Sequence, residues 1–400
     1  MKSIKKIIIA GVGIGADSIT LEACEAIKQA EVIFGAPRLT EPYKDFPVRV
    51  YPVYLPDDVA ARIEAEDAEN FIVLISGDVG FYSAATGLCN ALSEYSVRLI
   101  PGISTVNAFF ARLKMPWQDS AFVSVHGRDT DIIYAVRRNR LTFCLTGNNA
   151  AELGCSLFNA GFSDINIYVG ENLGLPQERV YETTVQELQD MNLPSLTVLL
   201  FVNENFDDRI LSGLPDGLFT RTDKIPMTKS EVRAVVLSKL CLRPDSICYD
   251  IGAGTGSVSV EMALSAYRGR VYAVERREDA ISLIQQNSRA FHLGNVIAVH
   301  GEAPDILSDL PVPDAVFIGG SGGELCQIID AVLSKNPEIR IVITAVTIET
   351  VSAALAAFNS AGIEPEIMQI STTRIKKVGG YHMMDAQNPV TIFSAGGKKL

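Results

Sequence analysis

Twice in this chain a short apolar run ends in closely spaced glycines. The first is Ile7-Ile-Ile-Ala-Gly-Val-Gly-Ile-Gly15 and the second is Ser246-Ile-Cys-Tyr-Asp-Ile-Gly-Ala-Gly-Thr-Gly-Ser257. A run of that length, bounded by glycine, reads as a buried strand. Glycines directly after it let the backbone turn and approach a ligand where a Cβ would clash. Ligands of such sheets bind outside the carboxyl ends of the strands. Further runs have the same form: Phe71–Ser76, Thr142–Leu145, Thr197–Val202, Val271–Val274, Ala315–Ile318 and Arg340–Ala345. Stretches long enough for amphipathic helices separate them. The pattern therefore predicts an α/β fold of repeated βα units with largely parallel sheets.

The polar, turn-rich segment Asn203–Pro215 breaks the series. It predicts a boundary near residue 210 and two domains, 1–210 and 211–400. A length of 400 residues supports two or three domains, and 48% hydrophobic residues exclude a mostly disordered chain. The formal net charge of −12, with no basic tract, argues against a nucleic-acid partner. At first sight it argues against an anionic substrate too, but net charge is blind to where a few cations are placed. No apolar run approaches the roughly 18 residues of a membrane span. Lys2, Lys5 and Lys6 precede an apolar stretch, but Gly11, Gly13 and Gly15 interrupt it, which fits a first strand better than a signal peptide. Seven scattered cysteines without a CxxC pair predict reduced thiols, a cytoplasmic protein and no metal site.

In the second half the loop is GxGxG, built on Gly252, Gly254 and Gly256. Glu275 ends the next strand, where an acidic residue can accept both hydroxyls of a ribose. Asp250 just before the glycines disfavours a diphosphate and suits a cation, such as the amino-acid end of S-adenosylmethionine (SAM). Glu302 and Ala303 follow the third strand, placed to meet an adenine. Gly319 and Gly320 open a run of five small residues after the fourth strand, leaving room for a second substrate.

Pro226–Arg233 (PMTKSEVR), the DIGAGTGSVSVE run, PDAVFIGGSGG and Tyr381–Val390 together resemble the C15-methylating, decarboxylating methyltransferases of corrin synthesis, over about Gly213 to Ala395. The resemblance implies a Rossmann-like SAM-dependent methyltransferase domain. Thr228, Asp250, Gly252, Gly254, Thr255, Gly256, Glu275, Glu302, Ala303, Gly319 and Gly320 would surround the cofactor. Thr344 departs from the asparagine that relatives often carry there.

The first half lacks that acidic strand end. Val73–Ser83 (VLISGDVGFYS), Val97–Thr105 (VRLIPGIST), Ser124–Asp129 and Val169–Gly174 resemble the tetrapyrrole methyltransferases instead, over Ile4 to about Val202, and most closely the branch that methylates carbon 5 of the corrin precursor. This implies a two-lobed tetrapyrrole methylase fold holding a folded SAM between its lobes. Gly11, Gly13, Gly77, Asp78, Val79, Tyr82, Ser83, Ser104 and Thr105 are the matching cofactor positions. Ile14 and Val79 stand where that family favours proline, which should alter loop detail without abolishing binding.

A chain joining both modules resembles the bifunctional corrin-precursor methyltransferases. That implies one SAM per domain, a polycarboxylate tetrapyrrole substrate, a homo-oligomer, and neither nucleic acid nor membrane as partner. An RNA methyltransferase is the alternative, because Rossmann-type SAM domains also act on RNA. Pinning the substrate carboxylates calls for Arg and Lys. The candidates are Lys229, Arg233 and Arg374, the last with Lys376 and Lys377 in a late loop, and in the first half Arg38, Arg112 and Arg128. His126 and His382 are candidates for proton transfer.

Overall fold

The computed structural model describes residues 5–125, 131–207 and 212–397. The chain divides into two compact units, Met1–Cys155 with Ser163–Phe206, and Ser156–Phe162 with Asp207–Leu400.

The first unit contains two sheets. One consists of β1 (Lys6–Gly11), β2 (Val32–Gly35), β3 (Arg49–Tyr51), β4 (Asn70–Ile75) and β5 (Ser96–Ile100). Their order is β3-β2-β4-β1-β5, and every pairing is parallel. The central strand β4 is apolar throughout because both of its faces are covered. Phe71, Val73 and Ile75 pack into one cluster with Ile7, Ile9 and Phe34. Ile72 and Leu74 pack into another with Ala10, Ile33 and Ile100. Two-sided burial is what turns parallel strands into continuous apolar runs instead of alternating ones.

The other sheet consists of β6 (Ser120–Ser124), β7 (Leu141–Leu145), β8 (Asn166–Glu171), β9 (Arg179–Thr184) and β10 (Thr197–Val202), in the order β6-β7-β10-β8-β9. Here the expectation of parallel strands fails. Only β6 and β7 run parallel; the other pairings are antiparallel. The link between β8 and β9 spans only residues 172–178. A parallel crossover needs about a dozen residues, so a link this short joins antiparallel neighbours.

The second unit is built on β11 (Ile247–Ile251), β12 (Arg270–Glu275), β13 (Val296–His300), β14 (Ala315–Ile318), β15 (Arg340–Ala345), β16 (Glu366–Ile370), β17 (Thr373–Val378), β18 (Tyr381–Ala386) and β19 (Val390–Ala395). Seven of these form one sheet, β13-β12-β11-β14-β15-β19-β16, in which β19 alone runs antiparallel to its neighbours. Helices cover both faces. Val316, Ile341 and Phe393 pack with Leu325–Lys335 and Ile348–Ser360. Phe317, Val342 and Ile392 pack with Ser230–Leu240 and Ser257–Ser265. The strand order reverses direction between β11 and β14, which opens a crevice at their carboxyl ends.

β17 and β18 pair only with each other, as an exposed hairpin. Arg374, Lys376 and Lys377, expected in a loop, therefore lie on a strand. No apolar alternation announced that strand, because neither of its faces is buried. Among the described residues no helix is long and apolar enough to cross a membrane.

Candidate functional site

In the first unit the loops after β1, β4 and β5 converge. A Cβ on Gly11 would lie 2.6 Å from the Gly77 carbonyl oxygen and 2.8 Å from the Gly102 nitrogen. Gly13 and Gly77 exchange backbone hydrogen bonds at 3.1 and 2.7 Å. Asp78 ties the loops together, since its carboxylate accepts from the amides of Gly80 at 2.8 Å and Gly102 at 3.1 Å. The Ser83 hydroxyl donates to the Val79 carbonyl, and Ser104 caps the helix Thr105–Leu113. These residues form the frame of a cavity of about 450 Å³, within the usual size range of small-molecule sites.

Of the expected cofactor residues, Tyr82, Ser83 and Thr105 line that cavity. Gly11, Gly13, Gly77, Asp78, Val79 and Ser104 are not among its lining residues; they adjoin the lining residues Ile14, Ser76, Tyr82 and Thr105 along the chain. Ser124, Thr146, Leu173 and Thr197 line it as well and were missed. They come from segments around β6, β7, β8 and β10; Ser124 and Leu173 lie inside the quoted Ser124–Asp129 and Val169–Gly174 motifs, whereas no contiguous motif flags Thr146 or Thr197. Ile14, in place of the family proline, is also part of the lining. Arg112, a candidate for substrate binding, is held bidentately by Glu178 at 2.8 and 3.2 Å. His126 and Arg128 lie outside the described residues.

In the second unit a cavity of about 240 Å³ opens at the carboxyl ends of β11, β12 and β14. Gly252, Gly254, Glu275, Glu302, Ala303, Gly319 and Gly320 line it as expected; Ile225, Pro226, Arg276, Arg277 and Ser321 were missed. Gly252 and Gly320 make the closest approach. A Cβ on Gly252 would lie 2.5 Å from the Gly320 oxygen and 2.7 Å from its nitrogen. Glu275 is largely committed to backbone amides around the loop. Its Oε2 accepts from the Gly254 amide at 3.0 Å, and its Oε1 accepts from Arg276 and Arg277 at 2.9 and 3.1 Å. A carboxylate offers about four acceptor positions. One therefore remains for a ribose hydroxyl, not the two expected. Glu302 pairs with Arg276 at 3.0 Å on the exposed rim.

Four expected cofactor residues do not line this cavity. Asp250 is fully buried on the sheet side of Ser257–Ser265 and hydrogen-bonds the Ser259 hydroxyl, so it does not sit at the loop mouth. Burial pushes its carboxyl up to about 7; the Ser259 hydrogen bonds oppose that rise and the nearby Glu275 charge adds to it. Its Oδ1 has no hydrogen-bond partner among the described residues. Thr255 is fully buried, and its carbonyl accepts from Asn287 at 2.8 Å. Gly256 packs against Ile284, and the Thr228 carbonyl accepts from Arg233.

Arg233 is the clearest departure from expectation. It is fully buried, pairs with Glu261 at 2.7 Å and Asp216 at 3.0 Å, and lies over the Phe219 ring. It also donates to the carbonyls of Thr228 and Leu214. With its donors consumed inside the fold, it is not available to a substrate. Arg374 reaches from β17 to Asp216 at 2.9 Å and Glu231 at 2.7 Å, and is likewise committed. The Arg374 hydrogen bond holds the Glu231 carboxyl down at about 2.

Lys229 takes the opposite position. It occupies the N-cap of Ser230–Leu240, half-buried, three residues after the cavity-lining Pro226. Its side chain makes no hydrogen bond or ion pair with any described residue. His382 is exposed on β18, facing Lys377 across the hairpin, also without a side-chain partner among the described residues.

Residues 6–189 match the family of tetrapyrrole (corrin/porphyrin) methylases, and residues 218–396 match the precorrin methyltransferase domain. Both matches point to tetrapyrrole chemistry, not to the RNA alternative. A protein of Pyrobaculum calidifontis named as a probable cobalt-precorrin-6B C(15)-methyltransferase (decarboxylating) is 45% identical over 46% of this chain and 95% of its own length. The precorrin-6Y C(5,15)-methyltransferase [decarboxylating] of a Sinorhizobium species is 29% identical over 96% of this chain and 95% of its own. The crystal structure of a precorrin-6Y C5,15-methyltransferase from Geobacter metallireducens is 41% identical, covers 46% of this chain and 97% of its own, and has a TM-score of 0.44.

Proposed function

The chain belongs to the precorrin methyltransferases, and from that membership we propose that it is a bifunctional enzyme of corrin synthesis. Its first unit methylates carbon 5 of precorrin-6B or its cobalt form. Its second methylates carbon 15 and removes the carboxyl of the ring-C acetate as carbon dioxide. The observation that carries this reading is the pair of cavities, one in each unit, each at the carboxyl ends of parallel strands: the second is walled by glycines, and the first is lined mainly by hydroxyl and apolar side chains.

To each cavity we assign one SAM. Where the loops meet, at Gly11 and Gly102 in the first unit and at Gly252 in the second, a Cβ would intrude on neighbouring backbone. When bound, the cofactor supplies a methyl group on cationic sulfur. The chain's task is to align an enamine-like substrate carbon with that group and keep water out. In the first unit Tyr82, Ser83 and Thr105 line the cavity; the O–H groups of Tyr82 and Ser83 donate to the carbonyls of Phe122 and Val79, which leaves their oxygens as acceptors toward a ligand. In the second, Glu275 keeps the Gly254 amide in place and offers its remaining acceptor position to a ribose hydroxyl. Gly319 and Gly320 leave space beside it for the macrocycle.

Loss of carbon dioxide breaks the bond between the acetate methylene and its carboxyl. The electron pair passes into a protonated, conjugated imine of the substrate, and a proton later completes the methyl group. Lys229, unpaired among the described residues and close in sequence to the cavity wall, is the group we assign to a substrate carboxylate. It anchors the macrocycle while the reacting carboxylate loses its hydration. His382 lies on the exposed hairpin and carries no step in this reading.

Incubation of the full chain with SAM and precorrin-6B tests this by mass spectrometry. The product should gain two methyl groups and lose one carbon dioxide. An unchanged mass with both the metal-free and the cobalt substrate would refute it.

A further inference from the structure

The first unit's cavity has a neutral lining with one exception. Among the described residues that line it, Arg38 is the single charged side chain. The polar groups around it are hydroxyls, those of Ser76, Tyr82, Ser83 and Thr105 among them. We propose that Arg38 holds a carboxylate of the tetrapyrrole in the first unit and so sets which edge of the macrocycle meets the cofactor. The inference rests on reading that unit as a tetrapyrrole methyltransferase.

Its availability is the first argument. Arg38 is exposed and makes no hydrogen bond or ion pair with any described residue. A guanidinium that lines a cavity without a partner has its full fork of donors open, and that fork matches a carboxylate bidentately. Arg112, the other described arginine considered for this role, is closed off by Glu178.

Its position is the second. The backbone loops expected to hold the cofactor follow β1, β4 and β5, and Ile14, Ser76, Tyr82, Ser83 and Thr105 line the cavity from them. Arg38 comes from Pro37–Thr40, directly after β2, and β2 lies on the far side of β4 from β1. The cation therefore enters from a strand outside the cofactor loops, where a second substrate would lie.

Electrostatics is the third. A chain of net charge −12 does not attract a polyanion as a whole. A lone cation on a neutral wall therefore decides where a carboxylate comes to rest.

The test uses the full chain with Arg38→Ala and Arg38→Lys. A charge-assisted hydrogen-bonded pair is worth enough to raise KM for the tetrapyrrole on the order of ten- to a hundredfold on removal. Arg38→Ala should show that rise, with kcat for carbon-5 methylation lowered as well because part of the bound macrocycle presents the wrong edge, and with unaltered S-adenosylhomocysteine affinity. Arg38→Lys should recover part of the loss. An unchanged KM would overturn the proposal. So would an equal loss of S-adenosylhomocysteine affinity, which would give Arg38 to the cofactor instead. Binding of precorrin-6B, followed by its visible absorbance without SAM, separates this from the broader reading. Binding weakened by Arg38→Ala in a chain that transfers no methyl group would uphold the arginine's role and refute the reaction.

Discussion

Replacing Gly252 with alanine should silence the second unit's cofactor site and leave the first intact. Gly252 has a φ of +72°, in the left-handed region. An L side chain there costs about 1–2 kcal/mol. The added Cβ would also lie 2.5, 2.7 and 2.8 Å from the oxygen, nitrogen and Cα of Gly320. All three are backbone atoms, so no rotamer change relieves the contact and one of the two loops must move. Forced shifts in packed regions cost about 1–3 kcal/mol. The sum, about 2–5 kcal/mol, falls on the two loops that wall the cavity. At about 1.4 kcal/mol per tenfold, affinity drops on the order of thirty- to several-thousandfold. Calorimetric titration with S-adenosylhomocysteine should show two sites in the natural chain and one in the variant. Circular dichroism should show the fold retained. A folded variant that still binds two equivalents with unchanged affinity would refute the argument that Gly252 and Gly320 form the cofactor cradle.

Two other changes test the buried charges. Arg233→Ala strips a partner from Glu261 and Asp216, and breaking a buried pair costs about 3–5 kcal/mol. The lower end is expected, because Glu261 keeps the amides of Gly213 and Leu214 and Asp216 keeps Arg374. Urea melts followed by circular dichroism should show that loss, while fluorescence of the sole tryptophan, Trp117 in the first unit, stays unchanged; a loss below about 1 kcal/mol would contradict the network's role. Asp250→Asn tests the carboxyl that burial pushes up to about 7. The folded state resists ionising it, so its contribution makes stability fall as pH rises from about 4 to about 7 and then level off. The stability difference between natural chain and variant should slope by a few kcal/mol in all across that window, on the order of 1.4 per pH unit. A flat difference would place the proton elsewhere.

What the sequence made legible was the part of the site that is contiguous in it. Ile7–Gly15 and Ser246–Ser257 each contain a strand, its turn and the glycines where backbones meet, so the cradle could be read directly. Tyr82 and Ser83 lie in one motif and Thr105 in another. The fate of Arg233 was not legible, because its partners Asp216 and Glu261 are 17 and 28 residues away and each looks like a surface acid in isolation. Asp250 shows a subtler limit. Its position before the glycines was evident, but which face of β11 it occupies depends on the helix that covers it. β17 and β18 left no periodic signal, since an exposed hairpin buries no side in any register. Thr146 and Thr197 reach the first cavity only because β7 and β10 are neighbours in an antiparallel sheet, a pairing that run length alone does not specify.

The division of labour between the units is tested most directly by where the methyl groups land. The full chain is incubated with precorrin-6B and SAM carrying carbon-13 in its methyl group, and the product is read by NMR. Two labelled methyl signals are predicted, on carbons 5 and 15, together with an unlabelled methyl in place of the ring-C acetate. A single labelled position, or an acetate still intact beside two labelled carbons, would contradict the account.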